Sequence, residues 1–401
     1  MTVRRPDEIT SFYDAHPYPP PIDNLDSVAR QWQDGQLRRI EHFRMWPSMP
    51  YRDDHWILVA GCGTSQAAKY AVRYPRARVV GIDVSPSSLE QTRQLAARHR
   101  LHNLELVELA IEQLDQLGQS FDHIVCTGVL HHLADPNEGL GSLRGVLNEM
   151  GALQLMLYAP YGRTGVYMIQ EYCRLLGVRP EQQEIDELID SLRELPAGHP
   201  LGHLLRNTPD FGNADALADA LLNPRDRAYS VPDIFKVLDE TGLRFGRWVR
   251  QAPYVPRCGV LRSLPHGSRI ATLPLAEQYH AVELFRGTMT RHSFIAYRND
   301  CPDTSINFGG DDWPNHVPIR TAAATVVKKK LPPGASAAIL NRAHTFTDLV
   351  LFVDDRQLDF FERIDGTRPM AELGDVEPEF VEQLWWQDAI VVSTGIPLIR
   401  P

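Results

Sequence analysis

The chain has 401 residues, a formal charge of −10 and 43% hydrophobic residues. That length predicts two domains, or one large domain with a module attached. The acidic balance argues against nucleic acid as the main partner, because phosphates call for a basic face. No apolar run approaches the ~20 residues of a membrane span, and the opening MTVRRPDEITSFYDAHPYPPP lacks the apolar core of a secretory signal. Cys62, Cys126, Cys173, Cys258 and Cys301 are scattered with no CxxC pair. They predict neither a disulfide framework nor a metal site, and they fit a reducing cytoplasm.

An arm of about 50 residues comes first, with Tyr13, Asp14, His16 and Tyr18 set among prolines that stiffen it. From residue 56 strands and helices alternate. WILVAG, RVVGIDVS, LELVELA, FDHIVCTG and GALQLMLYA read as strands, with SQAAKYAVRY, SSLEQTRQLAARHRL and PNEGLGSLRGVLNEM as helices between them. Such alternation predicts a doubly wound parallel sheet. GVYMIQEYCRLLG and EQQEIDELIDSLREL continue as amphipathic helices, so residues 177–227 read as a helical cap inserted before SVPDIFKVLDETGLRFGRWV. In that unit Ser230 is the expected N-cap and Gly242 the stop. RHSFIAYRND is the expected last strand, closing a domain over 51–300.

A Gly-, Pro- and Asp-rich stretch near Cys301 reads as a linker, followed by a small α+β module over 301–401. Its expected parts are a hairpin turning at Pro332-Pro333-Gly334, helices through TFTDLVLFVDDRQLDFFERIDG, and a final helix running into IVVS. The pattern is similar to small winged-helix modules that bind precursor peptides, and it also suits a structural or homodimerising module.

The stretch AGCGTS carries the first functional signal. Gly61 lets the chain turn at the strand end, and Gly63 lets backbone approach a ligand. Asp83 closes the second strand, where doubly wound folds place a carboxylate for a ribose diol. A dinucleotide would ask for a third glycine where Gln66 stands, and no Gly-Lys-Ser/Thr makes a P-loop. A cofactor with a ribose and no phosphate meets neither objection, and that points to S-adenosylmethionine.

ILVAGCGTS, VVGIDVS and FDHIVCTGVLHHLADP together resemble class I S-adenosylmethionine-dependent methyltransferases, in the subgroup with a His-His pair after strand four that acts largely on small molecules. The resemblance implies a Rossmann-like sheet. It implies that Gly61, Cys62 and Gly63 line the methionine and ribose, Asp83 holds the ribose hydroxyls, and Val84 flanks the adenine. Ile111 and Glu112 match the segment at the adenine edge, and Thr127 would border the methyl group. Two positions depart from the pattern: Val59 and Ala110 stand where acids are usual. The arm is the expected replacement, with Asp14, Tyr13 or Tyr18 on the cofactor's methionine end and His16 toward the substrate. His131, His132 and Tyr158 are candidate catalytic groups, although a sulfonium can transfer its methyl by proximity alone. Tyr161 and Arg163 are candidate acceptor contacts. The expected activity is methyl transfer to nitrogen or oxygen of a small metabolite. A peptide side chain recognised through the tail, or a non-catalytic cofactor-binding subunit, are the alternatives.

Overall fold

The structure is a computed structural model that describes residues 8–16, 19–207, 213–302 and 305–395. Tyr18 lies outside the described residues. Seven strands make one sheet: β1 (Trp56–Ala60), β2 (Arg78–Asp83), β3 (Leu104–Glu108), β4 (Phe121–Thr127), β5 (Leu147–Tyr158), β6 (Leu243–Trp248) and β7 (Arg291–Arg298). Their order is β3-β2-β1-β4-β5-β7-β6. The first five pair in parallel, β1 between β2 and β4. The winding therefore reverses between β1 and β4, which opens a crevice at the carboxyl ends of these two strands. Ile57 to Ala60 are fully buried, as expected of a central parallel strand covered on both faces.

Two elements differ from the sequence expectation. LNEM, read as the end of a helix, instead starts β5 at Leu147, which pairs with Phe121. Both side chains are buried there, and strand pairing overrides a helical spacing that was already weakened by Gly145. In the tail, VLFV was expected to be helical, yet Val350–Val353 is a strand. Its burial alternates, with Leu351 and Val353 inside and Phe352 exposed, which is the period of a pleat rather than a helix.

The chain divides into two compact units. One comprises Met1–Gln31, Asp54–Leu243 and Arg286–His292, the other Trp32–Asp53, Arg244–Phe285 and Ser293–Pro401. This division differs from the boundaries near 50 and 300 drawn from the sequence. In the first unit the insertion forms helices Gln182–Arg193, Leu201–Asn207 and Ala214–Leu222. They pack on helix Thr164–Leu176 around Val166, Ile169, Ile185, Leu188, Leu201 and Leu217, and Phe12 of the arm is buried in the same core. Gly165 allows this: a Cβ there would meet the backbone nitrogen of Leu201 at 2.1 Å.

In the second unit β9 (Ala324–Val327), β10 (Ala337–Asn341) and β11 (Val350–Val353) form an antiparallel sheet, and β8 (Val317–Arg320) pairs with β12 (Ile390–Ser393). β9 and β10 are the expected hairpin, with Gly334 in the left-handed region at φ +86. Phe360, Phe361, Met370, Val381 and Leu384 fill the core against these strands. Ser230 makes the expected N-cap in a capping box with Asp233, and Gly242, at φ +70, ends that helix unit.

Candidate active site

Two groups of polar side chains gather at the carboxyl ends of β1, β2, β4 and β5. The first surrounds the glycine loop. Gly61 and Gly63 have φ of +66 and +53, a region where side chains are strained. A Cβ on Gly61 would also stand 2.3 Å from Cγ2 of Val129. The Cys62 amide donates to the Ile82 carbonyl at 2.9 Å, which ties the loop to β2. Burial pushes the Cys62 thiol well up, with Asp83 adding to the effect, so it stays protonated. The Thr92 hydroxyl donates to the Gly63 carbonyl at 2.9 Å. Gln66 donates its side-chain amide to the Thr127 hydroxyl at 2.6 Å, so the residue in place of a third glycine braces the loop helix against β4.

Asp83 ends β2 with both oxygens oriented. Oδ2 accepts from the Gly63 amide at 2.7 Å and Oδ1 from the Ser85 amide at 3.0 Å. Burial raises its pKa, while the amides of Ser85, Gly63 and Val84 pull the other way. The Leu109 amide donates to the Asp83 carbonyl at 3.0 Å. That bond brings the turn Ile111–Leu117 to the same edge, with Ile111 buried and Glu112 and Val84 half-buried.

The arm helix Glu8–Ala15 reaches both groups. Asp14 accepts from the Ser85 and Ser87 hydroxyls, beyond the end of β2. The Thr64 hydroxyl of the glycine loop donates to the Pro19 carbonyl at 2.8 Å. Tyr13 turns its hydroxyl to the insertion, donating to Asp219 at 2.9 Å and accepting from Asn223 at 3.1 Å. Its pKa is raised well above the usual value by burial and by Asp219. Asp219 is itself raised by burial. His16 also faces the insertion, with its ring nitrogens against Asp215 at 3.0 Å and the Pro180 carbonyl at 2.8 Å.

The second group follows β4 and β5. His131 and His132 are buried in a short 3-10 turn, Leu130–His132. The His131 ring lies 4.2 Å from the rings of both His132 and Tyr158. Burial, with help from His132 and Arg163, drives its pKa well below the usual value, so it is neutral. The Arg163 guanidinium sits 3.6 Å from the Tyr158 ring centre, a cation–π contact, and pairs with Asp226 at 3.1 Å. Tyr161 lies at the surface, 37% exposed. Asp219, Asn223 and Asp226 were passed over in the sequence. Only the turn-like run NPRD hinted at the last of them, and nothing in it pointed to β4.

Residues 58–153 match the family described as a methyltransferase domain. The chain carries a class I S-adenosylmethionine-dependent methyltransferase domain. S-Adenosylmethionine is its cofactor, and methyl transfer its activity. The fold is similar to that of PKMT2 from Rickettsia typhi, solved in complex with AdoHcy, with a TM-score of 0.62 at 16% identity, over 94% of this chain and 77% of that one. An uncharacterised protein of a Synechococcus strain is 28% identical over 323 residues, 74% of either chain. The tRNA U34 carboxymethyltransferase of Shewanella baltica is 29% identical over 177 residues, 35% of this chain and 53% of that protein. The chain thus spans about half the length of those tRNA enzymes. The residues present fit a phosphate-free nucleoside: the loop turns at two glycines in the left-handed region, and a carboxylate stands oriented beside it. Ser65, buried in the loop, keeps an Oγ without a hydrogen-bond partner among the described residues.

Proposed function

We propose that this methyltransferase modifies an oxygen or nitrogen of a small acceptor held beside His131, Tyr158 and Arg163, beneath the helical insertion. The observation that carries this reading is enclosure. His131 is 1% exposed and Arg163 8%, and the insertion helices share one core with the helix that follows Arg163. An enclosed site suits a small molecule better than a folded surface, and it keeps water from the reacting atoms.

In this reading Gly61, Cys62 and Gly63 lie along the methionine and ribose. Asp83 accepts from the ribose hydroxyls, Val84 and Ile111 flank the adenine, and Glu112 and Thr127 complete the wall. When bound, S-adenosylmethionine supplies an electrophilic methyl group on its sulfonium. The protein's part is alignment. Tyr158 and Arg163 orient the acceptor so that its lone pair meets the methyl carbon in line with the breaking C–S bond. His131, held neutral by burial, is placed to hydrogen-bond the acceptor rather than to keep its proton, which leaves to solvent. Tyr13 and His16 fasten the arm to the insertion and so close the site, while Tyr161 lies at its rim. The cytoplasm and the tail's part in recognition or dimerisation belong to the same proposal. Among the described residues no helix is long and apolar enough to cross a membrane.

The test is to incubate the full chain and methyl-labelled cofactor with separated small metabolites, peptides and tRNA. Label in a small molecule, lost in His131→Gln and Arg163→Ala, is the expected result. Label confined to peptide or to tRNA would overturn the acceptor class and leave the methyltransferase activity in place.

A further inference from the structure

The group after β4 contains an arrangement that acceptor binding does not require. One ligand-type atom from each of His131, His132 and Asp226 lies within 4.8 Å of the others. All three side chains are buried: His131 is 1% exposed, His132 4%, and the Asp226 side chain 2%. Among the described residues neither ring nitrogen of His131 has a hydrogen-bond partner, and neither does Oδ1 of Asp226. Buried polar atoms left this way are costly and call for a partner.

The surroundings fix the direction in which these atoms offer their lone pairs. His132 Nδ1 contacts the Arg225 carbonyl, which can only accept. Nδ1 therefore carries the hydrogen, and Nε2 presents a lone pair, the tautomer that a metal-binding imidazole takes. The other oxygen of Asp226, Oδ2, accepts from Arg163 at 3.1 Å and from Gln170 Nε2 at 2.9 Å. That pair holds the carboxylate plane and turns Oδ1 inward. Lone pairs of His132 Nε2, Asp226 Oδ1 and the unprotonated ring nitrogen of His131 are thus available to one cation, and nothing among the described residues pairs with those of His131 and Asp226.

We propose that His131, His132 and Asp226 bind one divalent cation of the zinc class. Two imidazoles and a carboxylate suit a borderline metal. Magnesium and calcium want a shell of oxygens, which the site lacks. Three protein ligands leave a fourth position open, as in catalytic rather than structural sites. Arg163 is the cation opposed to the metal. It takes the far oxygen of Asp226 and rests on the Tyr158 ring, so the carboxylate lies between the two charges. On the methyl-transfer reading above, the open position takes the acceptor's hydroxyl or a water and lowers its pKa. The metal site itself does not depend on that reading.

The experiment titrates the metal-free full chain with Zn2+ alone by calorimetry, and with Co2+ followed by visible absorption. One equivalent is expected, with the intense Co2+ bands of a four-coordinate site. Asp226→Asn and His131→Gln, checked for fold by circular dichroism, should each weaken Zn2+ at least tenfold. A folded wild-type chain that takes up no stoichiometric Zn2+ or Co2+, or folded variants that bind as wild type does, would overturn the proposal. S-Adenosylmethionine binding and label transfer are measured on the same samples. Metal uptake without transfer to any small acceptor would defeat the acceptor reading and leave the metal site standing.

Discussion

The Asp14 carboxylate accepts a hydrogen bond from the Ser85 hydroxyl at 2.6 Å. Ser85 caps the helix after β2 and sits two residues beyond Asp83, whose own pKa Asp14 helps to raise. The arm is thereby attached to the strand end proposed to hold the ribose. Asp14→Ala should weaken S-adenosylmethionine binding by roughly 3- to 10-fold, a fraction of the hydrogen-bond energy lost, because the bonds fasten the arm and do not touch the cofactor. The melting temperature should change little, because the side chain is exposed. Calorimetric titration against wild type checks this.

Asp83→Ala removes the carboxylate that the Gly63 and Ser85 amides orient. A charge-assisted pair of contacts to a diol is worth about 1.5–3 kcal/mol, so the dissociation constant should rise by one to two orders of magnitude. Unaltered affinity in a folded variant would remove Asp83 from the site.

Gly61→Ala meets two obstacles, a φ of +66 and a clash with Val129. Cofactor binding should fall more than tenfold. Gly61→Ala with Val129→Ala should recover only part of it, because relieving the clash leaves the backbone strain of about 1–2 kcal/mol. Full recovery in the double variant would assign the whole effect to the clash.

His123 is fully buried, and burial, followed by the charge of His55, lowers its pKa to about 3. The folded chain keeps it neutral, whereas the unfolded chain protonates it below about pH 6.5. Its stabilising contribution is therefore complete above pH 6.5 and lost as the pH falls toward 3, at about 1.4 kcal/mol per unit. Raised carboxylates such as Asp83 and Asp219 act in the opposite sense as they titrate. Denaturant titrations at pH 6.5 and 5 should differ by about 2 kcal/mol on account of His123. His123→Gln should flatten the dependence.

The central sheet was legible because each signal was local. ILVA is buried on both faces and reads as one apolar run; the glycines and Asp83 follow strand ends that periodicity locates. The His131–Tyr158 neighbourhood was legible for the same reason, since both residues follow parallel strands. What escaped was long-range. Asp219, Asn223 and Asp226 lie on or just after a helix whose spacing reads only as amphipathic. Their meeting with Tyr13, His132 and Arg163 depends on how the insertion folds back. Strand Val350–Val353 escaped because four apolar residues fit either period until a partner strand selects one.

The arm's attachments also set an order of events during synthesis. Tyr13 leaves the ribosome 206 residues before its partner Asp219, and His16 199 residues before Asp215. At ordinary translation speeds that interval is roughly 10–40 s. Ser85, 71 residues from Asp14, arrives much sooner. The helix Glu8–Ala15 can thus settle on the nascent β1–β2 region first and wait there with Phe12 uncovered. Closing so long a loop is a late step of low entropic return, and the amides of this helix should be the first in their unit to exchange with solvent.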